Sequence, residues 1–417
     1  MLIARRTAPL LAFATFGLVI LLLRSAVRRR SWREIPQVVG LGEVVLDESE
    51  ASQAQFSSYS PDQATPTGNR PAWKSTPSFI PGVPPGPGHN YTKVLAMAKV
   101  RDEKTEWIQE EIPGLQTAIY VADDPSAPLH PPTNKGNEVM VYLTYIIDHY
   151  EDLPDIVMFM HSHRFSWHNN DILNNDAYEM ITRLSSERVV REGYMNLRCH
   201  WNPGCPDWIH PGHVEEDREK HEERELARVW SELFPLAPIP QVLAQPCCGQ
   251  FALSRERIHA IPKTQFVFYR DWLMRTNLNN YLSGRVWEYL WQYIFRGESA
   301  FCPDQHVCYC DGYGVCFENE QGFDHWFELK WRQDDLQREL DVWHSKAKLI
   351  EDAATGELNE ADKLEVPEVG KDAILEQEIG QNQRELDGKR DEAISRGNDP
   401  RNRAAIAGRE WHDGDWY

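Results

Sequence analysis

Positive charge is scarce in this 417-residue chain. Its 44 Lys and Arg stand against 64 Asp and Glu, a formal net charge of -20. No basic surface offsets a phosphate backbone, so a nucleic-acid-binding role is excluded. The sequence has no P-loop, no G-x-G-x-x-G, no G-x-S-x-G elbow and no H-E-x-x-H. Kinases, Rossmann dehydrogenases and serine hydrolases therefore lack support. No small-x-small cleavage site follows the N-terminal apolar run, which argues for an uncleaved anchor over a signal peptide. What the chain has in quantity is aromatic: 15 Trp, 15 Tyr and 15 Phe, enough for a substantial core and suited to stacking on sugars.

The uncharged run Thr7–Leu23 is ~17 residues, roughly 25 Å as a helix, which just spans a thin bilayer. Residues 1–35 read as a single-pass transmembrane signal-anchor. Arg24, Arg28, Arg29, Arg30 and Arg33 follow the span, and by the positive-inside rule they hold the bulk of the chain in the cytosol. Eight cysteines in clusters and the sequon Asn90-Tyr91-Thr92 point the other way, to a disulfide-bonded, glycosylated domain in the ER or Golgi lumen. The second reading weighs more. Residues 36–90, rich in Ser, Gln, Pro and Gly, cannot bury a core and form a disordered stem. A globular α/β domain is expected over 91–330, and a charged helical or disordered tail without a core over 331–417.

Within the domain, Val94–Val100 and Thr117–Val121 read as strands. Residues 136–150 form an amphipathic helix broken by Leu153-Pro154-Asp155, and Ile156–Met160 is a strand buried on both faces. Ala177–Arg191 is a helix, residues 193–197 a short strand and 199–213 a loop. A charged helix follows over 214–234. Ser254 caps the next helix, and Lys263–Thr276 and Val286–Phe295 are two more. Residues 302–316 read as a cysteine-rich loop. Strand, strand, helix, strand, with buried character, predicts a mostly parallel sheet flanked by helices.

Ionisable residues crowd just past the buried strand, where open α/β sheets bind ligands. His161 and His163, two apart on an extended segment, face one side, and with Asp171 or His168 they could take a divalent metal such as Mn or Zn. They equally suit hydrogen bonds to loop carbonyls. His168 and Asn170 could bind a sugar or ribose hydroxyl, or could serve as caps and turn-formers. Asp171, Asp207, Asp271 and Glu288 are carboxylates for acid–base work. Glu288, between Trp287 and Trp291, would gain basicity from burial or form an ion pair with Arg285. Cys199, Cys205, Cys247, Cys248, Cys302, Cys308, Cys310 and Cys316 form disulfides in an oxidising compartment. In a reducing one, the last four would read as a zinc cluster.

The run NKGNEVMVYLTYIIDHY, LPD, IVMFMHSH, FSWHNND, followed by GYMNLRCHWNPGCP, CCGQFALSRERI, YRDWL and SGRVWEYLWQYIF, resembles a fungal family known only as domain of unknown function 3431. The likeness extends from about Lys93 to about Gly297 and departs at Gln292, where a histidine is expected. The βαβ core also resembles the half-Rossmann, nucleotide-sugar half of GT-A glycosyltransferases, although His161-Ser162-His163 stands where their Asp-x-Asp would. The resemblance implies a metal-dependent glycosyltransferase acting from a nucleotide-sugar donor on a glycan acceptor. A non-catalytic glycan- or protein-binding protein and a His-based metalloenzyme of another class are the alternatives.

Overall fold

The computed structural model describes residues 78–354, except 87 and 216, and 365–412. The expected anchor (1–35) and most of the stem (36–90) lie outside the described residues. Among the described residues no helix is long and apolar enough to cross a membrane.

Five strands form one sheet in the order β2 (Gln116–Val121), β1 (Lys93–Lys99), β3 (Ile156–His161), β5 (Phe251–Ser254), β4 (Tyr194–Asn196). β1 pairs in parallel with β2 and β3, while β5 runs antiparallel to β3 and β4. The sheet is therefore mixed rather than mostly parallel. The Gln250 side chain, one residue before β5, accepts a hydrogen bond from the His161 N–H at the carboxyl end of β3. β5 starts at that edge and runs antiparallel to β3.

Side chains alternate across the sheet. Val157 and Phe159 enter one core, and Ile156, Met158 and Met160 enter the other, as an unbroken apolar strand requires. On the first face lie α2 (Val139–Asp148), α5 (Glu223–Leu233), α6 (Arg255–His259), α7 (Lys263–Arg275), α8 (Asn280–Glu288) and α9 (Trp291–Arg296). Their contribution is aromatic: Trp230, Trp287, Trp291 and Phe295 are fully buried, each worth about 1.5–3 kcal/mol of burial. The second face carries α1 (Glu106–Glu111), α3 (Ala177–Arg183), α4 (Ser186–Glu192), α10 (Gln305–Tyr313), α11 (Glu320–Ala354) and α12 (Lys371–Gly397). α13 (Pro400–Ile406) closes the described chain.

Several expected elements differ. The helix expected over 177–191 is two, because Ser185 leaves helical geometry and its hydroxyl caps α4 by accepting from the Arg188 N–H. The 214–234 helix begins only at Glu223. The preceding residues offer no apolar stripe, and a helix without one gains nothing from packing. The 286–295 helix is split between α8 and α9. The cysteine-rich loop at 302–316 contains a helix, started by the Asp304 cap and ended by Gly314 in the left-handed region. The boundary expected at 330 falls inside α11. Beyond it, Leu386 and Ala393 of α12 join Trp326 and Phe327 of α11 in the second core, and the Trp326 indole donates to the Leu386 carbonyl at 3.1 Å. A few well-placed apolar residues on long helices suffice to dock a segment whose average composition is polar.

All eight cysteines pair: Cys199–Cys308, Cys205–Cys302, Cys310–Cys316 and the adjacent Cys247–Cys248. The first two fasten the loop after β4 to α10 and its approach.

Candidate functional site

The carboxyl ends of β1 and β3 open into a cavity of about 450 Å³. It is lined by Lys99 at the end of β1 and Val100 after it, and by His161 at the end of β3 with Ser162 and His163 after it. One wall is the start of α2 with Glu138, another the inner side of α8 with Arg285 and Glu288, and a third the Cys247–Cys248 pair. Trp167 and Tyr281, 59% and 51% exposed, stand at its mouth. The crossover from β2 brings the N-terminus of α2 to the same edge of the sheet as the end of β3, and so delivers Glu138 there.

Glu138 is 7% exposed, and among the described residues its carboxyl has no hydrogen-bond or ion-pair partner on another residue. Burial pushes its pKa up to about 7. Glu288 is half-buried at the end of α8. Its pKa is also pushed up to about 7, first by burial and next by the nearby Glu138 carboxylate, against the opposing pull of Arg285 and His161. Gly249 lies against both side chains. A Cβ there would lie 2.8 Å from Glu138 Oε1 and 3.8 Å from Glu288 Cγ, and its φ of +61° suits glycine. The ion pair expected between Arg285 and Glu288 does not form as a direct contact. Arg285 instead donates to the fully buried Glu222 at 2.8 and 3.2 Å. Trp287 and Trp291 turn into the first core, so Glu288 faces the cavity rather than being enclosed by their rings.

Three histidines line the cavity. His161 Nε2 lies 2.6 Å from the Cys248 carbonyl. A carbonyl only accepts, so Nε2 carries the proton. Burial first holds the His161 pKa below its usual value, and the ring is neutral at pH 7. His168 packs against Trp167 and His161, at 4.2 and 5.0 Å between centroids. Burial, then His161, lowers its pKa to about 4. His163 is exposed and lies 3.4 Å from Glu103.

Other expected site residues are elsewhere. Ile172 and Leu173 turn into the second core and carry Asp171 away from the strand end. It lines a separate pocket with Trp326, Lys330 and Arg390. Asn170 is fully buried. Its amide donates to the Leu197 carbonyl and accepts from the Cys199 N–H, both at 2.8 Å, so it clamps the backbone and does not face the cavity. Asp207 pairs with His210 at 2.8 Å and Asp271 with Arg275 at 3.0 Å, both exposed. The metal set expected from His161, His163 and Asp171 is not assembled. Among the described residues, no group of three or more His, Cys, Asp or Glu is arranged to hold a metal ion. Asn90 is exposed, and Thr92 of its sequon bonds Asp155 at 2.7 Å.

Sequence reasoning passed over Glu138 and Lys99, and it named Cys247 and Cys248 as disulfide cysteines without placing them at the site. The signal for Glu138 was its place in the first turn of the crossover helix, which must start at the ligand edge of the sheet. For the disulfide it was the rarity of two adjacent cysteines.

A family model described as "Protein of unknown function (DUF3431)" matches residues 95–311. No curated protein and no solved structure matches the chain.

Proposed function

The chain belongs to the DUF3431 family, and on that premise we propose that it is a sugar-transferring enzyme whose active site is the strand-end cavity. One observation carries this reading: two carboxyls without a partner on another residue among those described, Glu138 and Glu288, flank Gly249 and line one cavity at the carboxyl ends of β1 and β3. A general base works best with a pKa near the operating pH, and that of Glu288 is about 7. In the proposed step its carboxylate takes the proton of an acceptor hydroxyl. That oxygen bonds to the anomeric carbon of a nucleotide-sugar as the bond to the nucleotide's phosphate oxygen breaks. Lys99 and Arg285 line the cavity and offset the charge of the departing phosphate.

The GT-A type uses a bridging divalent metal, and the residues here do not fit one. Nε2 of His161 is committed to the Cys248 carbonyl, Asp171 lies in another pocket, and no three-ligand group stands among the described residues. No step is routed through a metal. The same observation favours a second reading, a glycan-binding protein without turnover.

The pairing of all eight cysteines supports an oxidising compartment. We read residues 1–35 as the anchor and 36–90 as the stem of a lumenal Golgi or ER domain, with the exposed Asn90 as a glycan acceptor. Thermal unfolding of the full chain with UDP-, GDP- and CMP-sugars, each with and without Mn, tests the function. Stabilisation by one nucleotide class supports transfer and names the donor. A flat panel from folded protein removes the transferase reading.

A further inference from the structure

A buried ionisable group without a partner costs stability, and folds seldom keep one without use. Glu138 is such a group: 7% exposed, lining the cavity, with no partner on another residue among those described. Glu288 shares the same patch of wall beside Gly249. The remaining surroundings limit what the pair can meet. A metal cation needs further ligands, and no three-ligand group is present among the described residues. Lys99 and Arg285 line the same cavity and disfavour an organic cation. A hydroxyl both donates and accepts, and two nearby carboxyls, one protonated and one ionised, offer a donor and acceptors to neighbouring hydroxyls. The Cys247–Cys248 wall is apolar, and Trp167 and Tyr281 expose their rings at the mouth. Apolar faces beside hydroxyl-binding groups match a sugar ring, which is apolar on its C–H face and polar at its edge.

We propose that Glu138 and Glu288, backed by the Cys247–Cys248 disulfide and framed by Trp167 and Tyr281, form one subsite for a neutral sugar bearing adjacent hydroxyls, with Glu138 as a second ligand-contacting carboxyl. This deepens the transferase reading and rests on it for one point only, that the bound sugar is the acceptor. Glu138 holds one hydroxyl so that its neighbour is presented to Glu288. Removing Glu138 therefore weakens sugar binding without disturbing the fold, since its carboxyl bonds no other residue among those described, only its own backbone N–H.

The test uses the full chain and four probes: the methyl glycosides of mannose, glucose, galactose and N-acetylglucosamine. Affinity is measured by calorimetry and contact by saturation-transfer NMR, with unfolding temperatures recorded alongside. Wild type is expected to bind at least one glycoside. Glu138→Ala weakens that glycoside tenfold or more and Glu138→Gln several-fold, with unfolding temperature unchanged or raised. Should Glu138→Ala not fold, the exposed Tyr281→Ala carries the same test, with a several-fold loss expected. Wild type that binds none of the four, or Glu138→Ala that binds as wild type, overturns the proposal. Glu138-dependent binding of MnCl₂ or spermidine in place of the glycosides overturns it too. The nucleotide-sugar panel separates the two readings. Glycoside binding with a flat panel keeps the subsite and removes transfer. A responsive panel without glycoside binding keeps transfer and removes the subsite.

Discussion

Asp311 and Glu138 are both buried carboxyl groups, and they are treated in opposite ways. The Asp311 side chain, 4% exposed, is held by Arg191 at 2.5 Å, Arg409 at 2.7 Å and Arg188 at 3.3 Å. These guanidiniums come from α4 and from the segment after α13, so the cluster ties the C-terminal part of the chain to the second face of the sheet. Glu138, on the first face, has no such partner. The contrast separates two uses of buried charge. Where the partners are all supplied by the protein, the group holds elements together; where none is, the position is kept for something from outside.

The comparison breaks most visibly at Asp311. Asp311→Ala strands three arginines around an empty position and is expected to destabilise the fold by about 3–5 kcal/mol, read by denaturant unfolding. The cavity responds to pH. Glu138 and Glu288 have pKa values raised from 4.5 to about 7, so between those values the folded state holds protons that the unfolded state has released. Stability is then highest at and below about pH 4.5 for these groups, falls as pH rises to about 7, and levels off above. The loss is at most roughly 3 kcal/mol per carboxyl. Unfolding temperature across that window measures it, and the double variant Glu138→Gln/Glu288→Gln is expected to flatten the slope. At pH 7.5, Glu138→Gln alone is expected to gain about 1–3 kcal/mol, because a buried charge is replaced by a neutral amide of the same shape. A loss there would place Glu138 with Asp311 as a holding group. The smallest effect is expected at Asp171, which lines the pocket beside α11 and α12. Asp171→Asn shifts stability by no more than about 0.5 kcal/mol and leaves glycoside and nucleotide-sugar binding unchanged.

The part of this architecture that was legible in the sequence is the part governed by local pattern. The apolar run Ile156–Met160 and the strands around it announced a doubly covered sheet, and His161, His163, His168 and Glu288 do line its strand-end cavity. Misreadings arose where distant chain decides. Asp171 is ten residues from His161, but Ile172 and Leu173 pull it to the other core. Arg285 had Glu288 one turn away and took Glu222 instead, a partner 63 residues distant. The antiparallel β5 pairs with a strand far earlier in the chain, and the Gln250–His161 bond at its start joins residues 89 apart. Docking of α11 and α12 rests on a few residues, Trp326, Phe327, Leu386 and Ala393, diluted in a polar segment. The cysteine spacing implied disulfides, but Cys199–Cys308 and Cys205–Cys302 span separations of 109 and 97 residues, which spacing alone does not specify.

The most direct test of the central claim is turnover by the full chain. Release of free nucleotide from UDP-, GDP- and CMP-sugars would be followed with a methyl glycoside as acceptor, comparing wild type with Glu288→Gln. The account predicts release by wild type with one nucleotide class, and a loss of 100-fold or more in Glu288→Gln, as general-base removal gives, without a lower unfolding temperature. Equal release by the two proteins, or none by wild type, would contradict it.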